Sequence, residues 1–488
     1  MKANLMFRDR AFDLNEVPCF GRAALTADLG LGRILSSMAQ GDDVINKACA
    51  AALFCPLQSP DEIRYRQENL RDAVQNPAAL RRLYEISAGV EKKRTSSWHW
   101  LSSRYLSVTF NSAVELMKIF LEMLMELRLV ADESLSGFQS EGFKNLLTML
   151  QRELDDEYFS EVRAHLSDLK DRVGTLVSAG AGNYLQGVRY VLRRKKRKGF
   201  RRRWSFAPSF TVAPRDDAGA ADLGKRRDRA INEATNALAQ SAEHLEGFLK
   251  MLRGELAFYI GCLNLIDCMY ALDMPVCVPE ILYKSSTARS WRGLYDVSLA
   301  LTKNTVVVCN DLETGGKSLY IITGANQGGK TTFLRSLGQA QLMAQCGMPV
   351  GAADFSAPVR RGVFSHFKRE EDSEMKKGKL EEELARMSEI ADRLESGAML
   401  LFNEAFAATN EREGSELCGQ ITRALIENGV EVLAVTHLYT YAASFIDDGI
   451  AQFLRAERLD GGKRTFKIEP GEPAKTAFGE DIYKNVFG

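Results

Sequence analysis

The stretch "IITGANQGGKTTFLRS", residues 321–336, decides how the rest of the chain is read. Gly324, Gly329, Lys330 and Thr331 meet the spacing G-x-x-x-x-G-K-[ST], with the apolar run "LYII" before the loop and the helix-favouring "TFLRSLGQAQLMAQ" after it. Strand, glycine loop and helix are the context in which this spacing cradles phosphate. Gly324, Gly328 and Gly329 let the backbone fold tightly, so that its N–H groups point inward at phosphate oxygens. The positive dipole end of the following helix adds to the attraction. Gly324, Ala325, Asn326, Gln327, Gly328, Gly329, Lys330, Thr331 and Thr332 are therefore the candidate ATP-binding residues. Lys330 is placed to reach the β- and γ-phosphates, and the Thr331 hydroxyl to coordinate Mg²⁺.

A phosphate cradle alone hydrolyses nothing, so a second strand should bring carboxylate chemistry. "GAMLLFNEAFAATN" supplies an apolar run, Met399 to Phe402, followed by Asn403 and Glu404. Glu404 is the candidate for orienting or deprotonating water. Asn403 stands where an aspartate usually holds a metal-bound water; its amide oxygen still accepts a hydrogen bond but lacks the charge. Weaker Mg²⁺ binding and slow turnover are expected. A third strand, "VEVLAVTHLYTYA", ends in His437, which suits a sensor of the γ-phosphate. Catalysis is thus assigned to Glu404 and His437, and the metal to Thr331 and Asn403.

Composition bounds the remainder. The 488 residues are too many for one core, and 45% apolar with 26% charged residues is ordinary for a globular chain. Lys+Arg and Asp+Glu balance at 64 each, so any basic surface must be local. Nine cysteines are scattered without a CxxC, which favours reduced core thiols over disulfides or a zinc site. The start, "MKANLMFRDRAFDLNEVP", has no apolar signal core, and no run of eighteen apolar residues occurs. A cytoplasmic protein is expected.

Between Pro77 and Pro275 the only prolines are Pro208 and Pro214, and the residues between favour helix. Leu106, Phe110, Ala113, Met117, Phe120, Leu124 and Leu127 recur in steps of four and three, a coiled-coil-like seam. Leu116, Ile119, Leu121 and Met123 are apolar too, which predicts a helix covered on more than one face inside a bundle. A second proline-free run, Asp222 to Asp273, would reach about 75 Å as one helix. Its glycines at 247, 254 and 261 share one stripe, where a neighbour could approach closely; chance placement and a kink are the alternatives. Ten of the fifteen residues from Arg189 to Arg203 are Lys or Arg. From Val276 onward, β-branched runs such as "TVVVCN" and "SLYIITG" predict strands alternating with helices, the rhythm of an α/β domain, with a boundary near Met274–Pro279.

With these residues in place, "TGANQGGKTTFLRSLGQAQLMAQCGMPVGA" closely resembles the Walker A region of the MutS mismatch-repair ATPase family. "FNEAFAATNEREG" resembles that family's segment containing its D-loop, with Thr409, Glu413 and Gly414 in the corresponding positions, and "AVTH" resembles its ATH strand end. Upstream, "CPLQSPDEIRYRQENLRDAV" looks like the start of the family's helical core, and "LRGELAFYIGCLNLIDCMYALDMPVCVPEI" like its lever. The resemblance implies an α/β, ABC-type P-loop ATPase domain over residues 276–488. Before it would come a mostly α-helical part: a core segment over 1–100, then lever and arms over 101–275 with a basic insertion near 189–221. It also implies a homodimer joined through the ATPase domains, with DNA held between the arms.

Three departures qualify it. No phenylalanine–x–glutamate wedge precedes the core, since "FGE" at Phe478–Glu480 lies near the far end, so mismatch reading by that wedge is not expected. The family's S-T-F-x-x-E-M segment maps onto "GKLEEEL", residues 378–384, where Lys379 is either a charge offered in trans or a solvated helix end. Asn403 replaces the aspartate. Arg193, Arg194, Lys195, Lys196, Arg197, Lys198, Arg201, Arg202 and Arg203, with Phe200 and Trp204 nearby, are the candidate nucleic-acid contacts, against a solvated or partner-facing loop. The expected function is coupling of ATP state to DNA binding through helical arms. The alternative is a weakly hydrolysing, nucleotide-dependent dimeric scaffold for a protein partner.

Overall fold

The structure, a computed structural model, describes residues 1–15, 20–97, 106–170, 177–181, 188–192, 211–282, 288–369, 378–407, 409–459 and 464–474. Helices α1 (Arg22–Asp28), α2 (Leu31–Ala39), α3 (Asp43–Phe54) and α4 (Pro60–Gln75) come first. Then follow α5 (Pro77–Ser97), α6 (Leu106–Ser134), α7 (Glu141–Glu153), α8 (Asp156–Lys170), strands β1 (Val177–Ala181) and β2 (Val188–Leu192), and the long α9 (Asp217–Tyr270). Strands β3 (Glu280–Leu282) and β4 (Ser290–Leu294), α10 (Val297–Lys303), β5 (Asn310–Glu313), β6 (Leu319–Gly324) and α11 (Lys330–Gln345) lead through the glycine loop. The remainder is β7 (Asp354–Pro358), β8 (Val363–Phe367), α12 (Lys379–Ala391), β9 (Met399–Asn403), α13 (Glu411–Glu427), β10 (Glu431–Val435), α14 (Tyr439–Ala443), β11 (Ala451–Arg458) and β12 (Arg464–Pro470).

Packing divides the chain into two units: residues 1–3, 78–139 and 143–253 form one, and 4–77, 140–142 and 254–488 the other. These units do not coincide with the textural boundaries of the sequence, because residues 4–77 pack with the part that carries the glycine loop.

In the first unit the α6 seam is buried from Phe110 to Leu127, and Leu116, Leu121 and Met123 are buried beside it. A helix covered on more than one face is a bundle helix, as its apolar surplus predicted. Strands β1 and β2 pair antiparallel, Val177 opposite Leu192. Of the nine candidate basic contacts, Arg193 to Lys198 and Arg201 to Arg203, none lies within the described residues.

In the second unit a six-stranded sheet runs in the order β12-β11-β6-β10-β9-β8, parallel except for β12. Every residue of β6 and β10 is buried, which is why these strands read as continuous apolar runs rather than alternating ones. A smaller mixed sheet has the order β3-β7-β4-β5. The run "TVVVCN" departs from expectation: only Asn310 enters a strand, where Leu294 of β4 becomes its ladder partner. Residues 305–309 have no ladder partner, and Val306 and Val308 are exposed.

The long helix runs unbroken from Asp217 to Tyr270, so its glycines do not stop it. They also behave differently from one another. A side chain at Gly247 would meet nothing within 4 Å; at Gly254 it would touch Leu14 at 3.3 Å; at Gly261 it would overlap the Cys49 sulfur and press on Ile45 at 3.1 Å. Close approach to α3 therefore accounts for Gly261, and the shared stripe does not account for Gly247. Gly261→Ala should destabilise by about 1–3 kcal/mol through overpacking. Gly247→Ala should stabilise by up to about 1 kcal/mol through helix propensity. Urea unfolding of the two variants checks both signs.

Candidate functional site

The parallel register of the large sheet brings three strand ends into one row. Val435 lies opposite both Ile322 and Asn403, so the glycine loop after β6, Glu404 after β9 and His437 after β10 emerge at the same edge. Carboxyl ends of parallel strands are where α/β sheets bind ligands.

The glycine loop is built to a tolerance of one methyl group. Gly324 has φ +116° and Gly329 φ +90°, conformations that cost glycine little. A Cβ at Gly328 would lie 2.9 Å from both the Ala325 carbonyl oxygen and the Ala456 Cβ, so β11 closes on the loop from above. Gly329 caps α11, whose unpaired N–H groups open toward the cavity. Lys330 is buried, and its Nζ donates to the carbonyl oxygens of Gly324 and Ala325, both at 2.9 Å. Burial lowers its pKa to about 8; Glu404 pulls the other way, and Arg464 reinforces the fall.

Beside it, the Thr331 hydroxyl donates to Oδ1 of Asn403 at 2.8 Å. Glu404 Oε1 and His437 Nε2 are 2.7 Å apart. That hydrogen bond leads the causes that hold the Glu404 carboxyl below its ordinary value, against the opposing effect of burial. Glu404 has φ +54° and Phe406 φ +56°, two left-handed non-glycine residues in three. Each costs of order 1–3 kcal/mol, and such conformations collect at functional sites. In the D-loop stretch, Thr409 donates to Glu413 Oε2 at 2.6 Å, and a Cβ on Gly414 would lie 2.6 Å from the Phe406 carbonyl oxygen.

A cavity of about 670 Å³ opens here, lined by Asn326 to Thr332, Glu404 and His437. Ala325 contributes its carbonyl from a buried position, and Asn403 reaches the site through Thr331. The sequence-assigned loop, Glu404 and His437 are thus brought together. Lys379 begins α12, behind Gly378 as N-cap. The cavity wall also includes Tyr295, Lys303, Val306, Val308 and Phe466, which sequence reasoning missed. Their signal was weak: Val306 and Val308 read as strand, and Phe466, with φ +61°, comes from the far hairpin that reaches back over the loop.

Two oxygens converge at Thr331 and Asn403, a donor set that suits a hard cation with most of its water shell retained.

Residues 58–272 match the family described as the MutS2 N-terminal domain, and residues 320–449 match MutS domain V. Among curated proteins, the chain is 29% identical over 261 residues to an "Endonuclease MutS2" of Streptococcus pyogenes serotype M18, covering 49% of this chain and 32% of that protein. It is 28% identical over 261 residues to a protein of the same name from Streptococcus agalactiae serotype Ia, with the same shares. It is 27% identical over 254 residues to one from Streptococcus equi subsp. equi, covering 50% of this chain and 31% of that protein. The matched region therefore spans about a third of the relatives' length.

Lys330 makes a demand on any triphosphate that enters the cavity. With its pKa near 8 in the free protein, the residue is losing its proton above that pH, whereas bound phosphate charge would raise the pKa. Binding above about pH 8 then requires proton uptake, and ATP affinity should fall by up to about tenfold per pH unit. Equilibrium titrations between pH 7 and 9.5 check this; a flat affinity would contradict it.

Proposed function

We propose, from the premise that this chain belongs to the MutS family, that it binds and hydrolyses ATP and couples nucleotide state to DNA. The observation that carries this reading is the joint placement of Lys330, the Thr331–Asn403 pair and the Glu404–His437 pair around one cavity. Main-chain N–H groups from Gly328 to Thr331 take the triphosphate tail, with Lys330 on its β- and γ-oxygens. Thr331 and Asn403 would hold Mg²⁺, which when bound would supply neutralisation of phosphate charge. Glu404, kept ionised by His437, accepts a hydrogen bond from the attacking water and sets its line toward the γ-phosphate. His437, hydrogen-bonded to Glu404, senses that phosphate from the same strand-end row.

Arg193 to Lys198 and Arg201 to Arg203 are assigned to DNA phosphates, and two copies of the chain are assigned to one assembly through their ATPase domains. Affinity for DNA should then fall steeply with salt, by counterion release. Among the described residues no helix is long and apolar enough to cross a membrane. We place the protein's work in the cytoplasm.

A second reading, a nucleotide-dependent dimeric scaffold for a protein partner, is favoured by one feature. Asn403 gives its site an uncharged oxygen where a carboxylate would bind Mg²⁺ more tightly.

ATP hydrolysis measured with no DNA and with single-stranded, duplex and branched DNA, at two salt concentrations, separates the readings. DNA-stimulated turnover supports the coupling of ATP to DNA, and ATP-driven dimerisation indifferent to DNA supports the scaffold. Lys330→Ala should weaken ATP binding at least tenfold. Glu404→Gln should lower kcat by about 10²–10⁴ while leaving ATP binding nearly unchanged. Asn403→Asp should lower the Mg²⁺ concentration needed for half-maximal turnover; unchanged Mg²⁺ dependence and rate would remove the role given to Asn403.

A further inference from the structure

Asn403, which pairs with Thr331, and Glu404, which pairs with His437, stand next to each other in sequence. A phenylalanine flanks them on either side, Phe402 before Asn403 and Phe406 two places after Glu404. Phe402 is buried at the end of β9, and Phe406 is fully buried beyond it. The backbone between them is strained, with φ +54° at Glu404 and +56° at Phe406. Left-handed residues other than glycine persist only where the surrounding contacts over-determine them.

One ring meets both phenylalanines. His366 of β8 lies opposite Phe402 in the parallel register, and its imidazole meets that ring edge-on, with centroids 5.8 Å apart and planes at 76°. The same imidazole stacks on Phe406, with centroids 5.5 Å apart and planes at 25°. Both arrangements attract beyond the area they bury. A single side chain thus clasps the two ends of the turn. Backbone bonds hold its start: Lys368 N donates to Asn403 O at 2.9 Å, and Glu404 N to Val435 O at 2.8 Å.

The surroundings of His366 say which part of it is used. It is fully buried, and neither Nδ1 nor Nε2 has a hydrogen-bond partner among the described residues. Burial, with Arg386 and Arg369 acting in the same direction, lowers its pKa to about 3, so the ring is neutral. Polar atoms buried without partners cost stability. Neither a charge nor a hydrogen bond offsets that cost here, which leaves the aromatic ring.

We infer that His366 is a positioning residue for Glu404: its ring clasps Phe402 and Phe406 and so fixes the left-handed turn that presents the Glu404 carboxylate to the cavity. This rests on the reading of Glu404 as the residue that directs water at ATP. Glu404 lines the cavity and His366 does not, so loss of the clasp acts on turnover rather than on binding. Asn403 stays in place because it belongs to the β9 ladder, opposite Val435.

The test compares His366→Leu, which removes the ring, with His366→Phe, which keeps a ring and removes both nitrogens. For each, kcat is measured together with ATP affinity from fluorescent-nucleotide titration and with melting temperature. His366→Leu should lose about 10- to 100-fold in kcat, with ATP affinity within about twofold. Its melting temperature should hold or rise, because two unpartnered nitrogens leave the core. His366→Phe should keep kcat within about threefold. Wild-type turnover in His366→Leu overturns this inference alone. So does a His366→Phe variant as slow as His366→Leu, or a loss of rate matched by equal losses of ATP affinity and stability. Absence of hydrolysis in the unmodified protein overturns the functional reading and takes this inference with it. Should His366→Leu fail to fold, Phe406→Leu, which opens the same clasp from its other side, takes its place with the same expected split between kcat and ATP affinity.

Discussion

A buried ammonium group organises the site. Lys330 sits inside its own loop, its charge answered only partly by the carbonyl dipoles of Gly324 and Ala325. Burial lowers its pKa, which is to say that the charged form is held at a cost. An incoming anion relieves that cost more fully than two carbonyls do. The loop's glycines follow from the same constraint. Lys330 can reach those carbonyls only if the backbone turns as tightly as Gly324, Gly328 and Gly329 allow, beneath Ala456.

The rest of the second unit serves to hold chemistry in register with that ammonium. A parallel sheet fixes strand ends in a row, so residues far from the loop in sequence arrive beside it without a connecting loop of their own. The Thr331–Asn403 hydrogen bond ties α11 to β9, and the Glu404–His437 contact ties β9 to β10. The second link joins neighbouring strands, and the first joins the helix after the glycine loop to the sheet. The strained turn after β9 then exposes Glu404 while burying Phe406 among His366, Gly414 and Cys418.

Much of this was legible in the chain itself, because motif residues lie at strand ends and strand ends are marked by apolar runs. The α6 seam was legible for a similar reason: its periodicity reports burial directly. What escaped reading depends on pairings far apart in sequence. Glu255 of α9 accepts backbone N–H groups from Leu5 and Met6, and the buried Arg66 of α4 donates to the Cys346 carbonyl at 3.0 Å just past α11. No local pattern announces such contacts. They draw residues 4–77 into the unit of the glycine loop, where composition alone set them apart. The valines at 306–308 misled because β-branched residues favour strands only where a neighbouring strand exists to pair with them.

The central claim is that Lys330 and Thr331 hold partners within the protein which a nucleotide replaces. A crystal structure with a nonhydrolysable ATP analogue and Mg²⁺ tests it most directly. The account predicts that Lys330 Nζ leaves the Gly324 and Ala325 carbonyls for β- and γ-phosphate oxygens while the Thr331 hydroxyl turns from Asn403 to the metal. An analogue bound with Lys330 still on those two carbonyls, or bound outside the cavity, would contradict it.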